Sequence, residues 1–318
     1  MKRKGIPAFL LGLMLAAGMA ITGCSSPATE DSTASVEEKR LVLTDDLDRE
    51  VEIERPQRVA ILIGSFADEF ADAGGKDKIV AAAHDTWTSF DLGLDESVSD
   101  LGEVKNISVE TLAAAKPDLV IASAKNESQR NLEETLASLD TPVVYYDVSS
   151  FDDYCRVLEQ FTEMTGDEDA YEKNVTDQSR IITEIQERYA DKTDTPSAVA
   201  IRVTGKGSSL LGSNDSVLGE MLQDLNVSNV AGEKTTSDYS MEALIEQQPD
   251  LIFFTAQGKD NDTAKEMADE FFSDPKWQQL DAVKSGKVYV MDSKLYNLKP
   301  NSKWAESLEN LETIVYGE

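Results

Sequence analysis

The sequence predicts an α/β protein of two lobes with mostly parallel sheets, joined by a single long α-helix. Three observations carry the prediction. First, residues 167–192 place Tyr171, Val175, Ile182, Ile185 and Tyr189 at steps of four, seven, three and four, one stripe of a helix. At about 1.5 Å per residue such a helix is roughly 35–40 Å long, the span of a whole domain. Gly166 closes the preceding helical pattern, and Asp167, Glu168 and Asp169 place acids where the macrodipole favours them. Second, residues 108–124 (SVETLAAAKPDLVIASA) align with residues 240–256 (SMEALIEQQPDLIFFTA) at a constant offset of 132. Ser108/Ser240, Glu110/Glu242, Leu112/Leu244, Pro117/Pro249, Asp118/Asp250, Leu119/Leu251 and Ala124/Ala256 are identical. Each copy reads as a short helix, a proline stop and a buried-type strand, so the halves on either side of the long helix are kindred. Third, strands alternate with helices throughout, which calls for parallel pairing.

The elements follow in order. Lys2, Arg3 and Lys4 precede an apolar run over residues 6–21, too short for a comfortable membrane span, and Ile21-Thr22-Gly23 lead to Cys24. This resembles a bacterial lipoprotein signal, which implies cleavage of residues 1–23 and lipid on the Cys24 sulfur; an ordinary signal peptide or a span are the other readings. Residues 24–40 are rich in Ser, Thr, Ala and Glu and read as a lipid anchor followed by a disordered tether. Two short strands at residues 41–44 and 50–53 flank a turn, a hairpin signal. Residues 59–63 are a buried-type strand, followed by a helix ending near Gly74 and Gly75. The strand at residues 79–83 delivers His84, Asp85 and Trp87 to a loop. The first repeat unit, a helix over residues 132–139, a strand at 142–146 and a helix over 151–165 complete an N-terminal lobe of residues 41–166. After the connecting helix, the lobe of residues 193–318 opens with a strand at 198–203, a Gly/Ser loop at 205–212 and a helix over 217–225. The second repeat unit, a helix over 263–272, a strand at 287–291 and a closing helix over 300–316 follow. Both lobes are Rossmann-like in this reading.

Composition narrows the function. The formal net charge is −30. That argues against nucleic acid, which needs a basic face, and suggests a soluble surface. With Cys24 lipidated, Cys155 has no disulfide partner and reads as a small core residue; two cysteines exclude a four-cysteine zinc site. There is no G-x-S-x-G elbow, no H-E-x-x-H and no P-loop; Gly205-Lys206-Gly207-Ser208-Ser209 has the wrong spacing and reads as a turn. One histidine makes His-based catalysis hard to build, and no catalytic residue and no cofactor is expected.

The segments TDDLDREVEIERPQRVAIL, LAAAKPDLVIAS, IEQQPDLIFF and DPKWQQLDAVKSGKVYVMD, in this order around one long helix, resemble the substrate-binding lipoproteins of bacterial ABC importers, in the subgroup for iron-siderophore, haem and corrinoid uptake. The resemblance covers nearly all of residues 41–318. It implies a ligand cleft between the lobes. It also implies delivery of a metal chelate, a ferric siderophore first or else haem or a corrinoid, to a membrane permease with its ATPase. The protein would then be a monomer held on the outer face of the cytoplasmic membrane by its lipid. A bare manganese or zinc receptor would want several histidines. An exported α/β hydrolytic enzyme would need an acid–base pair, for which Asp85 and Asp238 are the candidates.

In open parallel sheets, ligands sit beyond the carboxyl ends of the strands. Strand tips here offer Ser65, Phe66, His84, Trp87 and Lys105 from the first lobe. The second offers Arg202, Lys206, Tyr239, Gln257 and Tyr296. Together they describe an aromatic-floored, cationic cleft, with Arg and Lys for anionic oxygens and rings for a flat body. Arg202, inside the apolar run IRV, reads as an anion contact or a surface ion pair. Trp87 reads as lining or core, and Trp277 as core. His84 reads as a haem ligand, a donor or an incidental loop residue; Tyr239 and Tyr296 are possible phenolate ligands. The family docks on its permease through one acid on each lobe. The positions this implies are Glu127 or Glu133 on the first lobe and Glu266 or Asp262 on the second, with a solvated helix face as the competing reading.

Overall fold

The computed structural model describes residues 40–138, 140–298 and 300–317. The expected signal peptide, Cys24 and the tether up to residue 39 lie outside the described residues.

The described chain opens with the antiparallel hairpin β1 (Leu41–Thr44) and β2 (Glu50–Ile53). Asp45 fastens its turn: Oδ1 accepts from the Leu47 and Arg49 amides, and Oδ2 meets the Arg49 guanidinium at 2.6 Å. The first lobe is a sheet of β3 (Val59–Ile61), β4 (Ile79–Ala82), β5 (Ser99–Asp100), β6 (Leu119–Ser123) and β7 (Val143–Tyr146). Its order is β5-β4-β3-β6-β7 and every pairing is parallel. The second lobe holds β8 (Ser197–Thr204), β9 (Gly207–Leu210), β10 (Ser228–Asn229), β11 (Leu251–Ala256) and β12 (Val288–Val290). Here β10-β8-β11-β12 are parallel and β9 folds back antiparallel on β8. The Gly/Ser loop expected at residues 205–212 is therefore corrected to a hairpin. Gly207, at φ +131°, adopts a backbone conformation that a side chain disfavours, and so permits the tight reversal. Trp87, expected in a loop, lies instead in a helical turn, Thr86–Phe90.

The repeat has a physical reason. Ser108 and Ser240 cap their helices by accepting from the Thr111 and Ala243 amides, each at 3.2 Å. Each helix stops one residue before its proline on a left-handed residue, Lys116 (φ 49°) and Gln248 (φ 44°). Asp118 then accepts from the Gln57 and Arg58 amides at 2.8 and 3.0 Å, and Asp250 from the Ser197 amide and hydroxyl, both at 2.8 Å. Each aspartate thus pins the start of the neighbouring central strand, β3 in one lobe and β8 in the other.

Between the lobes, Glu168–Tyr171, Glu172–Thr176 and Asp177–Tyr189 run on as one helix, the middle segment being a π-turn with helical dihedrals at both joints. One hydrophobic core passes along it from Phe70, Tyr146 and Phe161 through Tyr154, Ile182 and Ile185 to Trp304, Leu308 and Leu311. Trp304 belongs to the helix Trp304–Tyr316; its ring lies 5.5 Å from that of Phe151, and Tyr189 stacks on Tyr316 at 4.2 Å. Buried Gln178 donates to the Ser302 carbonyl and accepts from the Ala305 amide at 2.9 Å, while Arg188 pairs with Glu312. Cys155 is half-buried against this core, and burial pushes its thiol up to about 11, so it is a packing residue and not a reactive one.

Candidate functional site

The strand tips of both lobes open onto a cleft of about 310 Å³. The first lobe supplies Ile63 and Ser65 after β3, Asp85, Ser89 and Phe90 after β4, and Val148 and Ser149 after β7. The second supplies Arg202 from β8, Asp215 to Val217 after β9, and Asn297, Leu298 and Pro300 after β12. This is the position that parallel sheets prescribe for a ligand.

The local sequence explains the arrangement. Gly64 starts the helix Gly64–Phe70, and its amide donates to Asp85 Oδ1 at 2.9 Å. A Cβ on Gly64 would lie 2.8 Å from the Phe90 ring and 2.9 Å from the Thr86 nitrogen, so glycine lets the turn after β4 close onto the turn after β3. Burial raises the Asp85 carboxyl above its ordinary value, and the Gly64 amide partly offsets that. Three buried polar atoms on the lining have no partner among the described residues: Ser65 Oγ, Arg202 Nε and Asn297 Oδ1. Arg202 sits opposite Thr255 and Ser209 on the adjoining strands and makes no ion pair among the described residues. Asp215, exposed on the rim, holds the Thr235 amide at 2.9 Å and its hydroxyl at 2.6 Å.

A second chamber of about 280 Å³ adjoins the first and shares Ser65, Phe90 and Pro300 with it. It brings Asp68 and Asp72 opposite Lys294 and Lys303. Burial, with Asp72 nearby, pushes the Asp68 carboxyl up to about 7 despite Lys303 and Lys294. Asp72 is also raised by burial, and a hydrogen bond to Ser302 and the nearby lysines hold it back.

Of the residues read from the sequence, the structure brings Ser65 and Arg202 together in the cleft. Phe66 is fully buried with its ring edge-on to Tyr146, and Tyr296 is core with its hydroxyl donating to the Ser307 carbonyl, so these two expectations are corrected. A ring facing the core leaves no surface for a ligand. Half-buried Trp87 packs against the shared core, and Trp277 is buried in the second lobe. His84 turns to Asp100, Nδ1 to Oδ2 at 2.7 Å, which raises its pKa. Lys105 lies beside a separate depression with Ser123 and Glu127. Lys206 is exposed in the β8–β9 turn, Gln257 is exposed after β11, and the Tyr239 hydroxyl meets Ser208 Oγ at 2.6 Å. The lining is neither cationic nor aromatic-floored. Its charged groups are one guanidinium and two carboxylates, and Phe90 is its one aromatic ring among the described residues. Asp238 is exposed outside this lining, so no Asp85–Asp238 pair converges.

Sequence reasoning missed Phe90, Val148, Ser149, Asp215 and Ser216. The tip of β7 obeys the same rule as the other strand tips, a signal that points to Val148 and Ser149 and was not used. Asp215 and Ser216 depend on β9, whose Gly/Ser composition hid it.

Residues 59–295 match the family described as periplasmic binding protein, and the chain belongs to it. It is a substrate-binding protein of the ABC-importer type, not an enzyme. The uncharacterized ABC transporter substrate-binding lipoprotein YvrC of Bacillus subtilis is 27% identical over 323 residues, covering 99% of this chain and 98% of that protein. The Fe(3+)-citrate-binding protein YfmC of the same organism is 24% identical over 298 residues, covering 89% and 88%. Among solved structures, the petrobactin-binding protein YclQ of Bacillus subtilis shares the fold, with a TM-score of 0.66, 17% identity and coverage of 87% of this chain and 97% of that one. Among the described residues, no three histidine, cysteine or acidic side chains gather as a metal site would require.

Proposed function

We propose that this protein captures a ferric siderophore between the lobes of residues 41–166 and 193–318 and delivers it to an ABC permease. The observation that carries the proposal is the trio of unpartnered polar atoms, Ser65 Oγ, Arg202 Nε and Asn297 Oδ1, on a cleft at the strand tips. A buried polar group without a partner costs about 1–3 kcal/mol; metal-bound oxygens of a ligand would accept from Ser65 Oγ and Arg202 Nε, and an N–H or O–H of the same ligand would donate to Asn297 Oδ1. The names of the relatives, an iron-citrate binder and a petrobactin binder, point to the same cargo class. Titration of the protein with ferric chelates, haemin and cyanocobalamin, read by quenching of tryptophan fluorescence, tests it. Saturable quenching by a ferric chelate is expected; quenching only by haemin or cyanocobalamin would replace the cargo.

Lipid on Cys24 would hold the protein at the outer face of the membrane, and residues 167–192 would join the lobes. Glu127 and Glu266, one exposed acid on each lobe, are the proposed contacts with the permease. Glu133 already pairs with Arg49 at 2.7 Å, so it is the weaker candidate on the first lobe.

A further inference from the structure

We infer that the cleft selects a compact ferric chelate that is uncharged or cationic, of the tris-hydroxamate type, and that Asp85 and Asp215 determine this preference. The inference rests on the proposed role as a ferric-chelate receptor and narrows its cargo.

Charge is the first argument. Asp85 enters from one lobe and Asp215 from the other, and Arg202 is the one cation on the same lining among the described residues. Asp85 Oδ1 accepts from an amide, and Asp215 accepts from an amide and a hydroxyl; neither carboxylate pairs with a lysine or arginine among the described residues. Arg202 likewise has no carboxylate partner among the described residues. The cleft therefore presents one cation and two anions as separate recognition points. A tris-catecholate or citrate complex of ferric iron is multiply anionic. It would satisfy Arg202 and be repelled from both lobes by carboxylates that it cannot pair. Three hydroxamates balance ferric iron, and a pendant ammonium makes the complex cationic. Its metal-bound oxygens suit Arg202, and its amide N–H or ammonium groups suit the two aspartates.

The remaining lining agrees. Ser65, Ser89, Ser149 and Ser216 supply hydroxyls that can donate to hydroxamate oxygens or accept from amides. With Phe90 as its one ring among the described residues, the wall has little to stack on a tetrapyrrole. At about 310 Å³ the chamber lies at the small end of ligand sites, which favours a compact body over a corrinoid.

The test uses the full chain in mild detergent and five probes: ferrioxamine B, ferric enterobactin, ferric citrate, haemin and cyanocobalamin. Tryptophan quenching gives each Kd. Ferrioxamine B is expected to bind at least ~10-fold more tightly than either anionic ferric chelate, and Asp85→Asn with Asp215→Asn to cut that ratio by ~10-fold or more. Asparagine keeps an acceptor oxygen for the Gly64 and Thr235 contacts. Asp215→Asn alone, on the exposed rim, is expected to move the ratio the same way and serves if the double variant does not fold. Tighter binding of an anionic ferric chelate overturns the inference and leaves the ferric-chelate receptor intact, whereas tighter binding of haemin or cyanocobalamin overturns both. A preference that neither folded variant changes overturns the inference alone. Binding of none of the five by the folded wild type overturns the receptor reading and the inference together.

Discussion

The guanidinium of Arg202, in the apolar run of β8, is costly to hold without a partner, and its Nε is buried with none among the described residues. Arg202→Ala should therefore leave the melting temperature unchanged or slightly higher, because it removes an unsatisfied donor. It should weaken binding of a ferric chelate by about 1.5–3 kcal/mol, roughly 10- to 150-fold, the worth of a hydrogen bond to a charged group. Thermal melts beside quenching titrations check both; a destabilised variant with unchanged Kd would make Arg202 a packing residue. Arg202 was legible because it interrupts a hydrophobic run. Ser65 was legible because it follows a strand. Its neighbour Phe66 was not assignable from sequence: on the first turn of a helix, one residue separates the face toward the cleft from the face toward the core. Tyr296 failed for the same reason, on the short helix Ser293–Tyr296, where its ring turned inward to meet Ser307.

At the scale of elements, local signals agreed with tertiary structure where each carried its own chemistry. Both proline stops follow a left-handed residue, and both aspartates after them hold a neighbouring strand, so the repeat could be read without coordinates. The hairpin β1–β2 and the helix Phe151–Thr165 were legible from turn residues and capping; Ser150 and Asp153 form a capping box. The strands β5 and β10 are two residues each, too short to show a period, and β9 is Gly and Ser up to its last residue, Leu210. The π-turn was also invisible, since it changes only the hydrogen-bond ladder of a helix that continues. Gln178 shows what polarity conceals. It lies on the buried stripe two residues after the π-turn and ties the helix to Ser302 and Ala305. Gln178→Ala should lower stability by about 2–3 kcal/mol by leaving a buried amide and carbonyl unpaired. Urea denaturation measures this; a loss under about 0.5 kcal/mol would mean that water substitutes for the side chain.

For the whole molecule, acidity and the shared core set the behaviour. Burial is the main reason that Asp68 and Glu220 rise to about 7 and Asp224 to about 6. A carboxyl whose pKa is raised by folding holds its proton more tightly in the folded chain. Its stabilising contribution is complete below the ordinary carboxylate range and is lost as pH rises through the folded value. Stability should therefore fall from about pH 5 to about pH 8, and Asp68→Asn should flatten that slope. Acids with lowered values, such as Asp100 and Asp250, act at the other end, losing their contribution as pH falls below the ordinary range. Melting temperatures at constant ionic strength decide the matter; a rising profile would contradict the burial of these groups. Because one hydrophobic core serves both lobes, unfolding should show one transition by fluorescence and by circular dichroism alike. Two separated transitions would mean that the lobes fold as independent units.

The helix Trp304–Tyr316 gives that shared core a temporal side. It is made after nearly everything it touches, yet its first residue lies against Phe151 in the middle of the chain. Until it arrives, the middle of the molecule has a vacant seat. Closure of the shared core would thus wait for its late-made keystone.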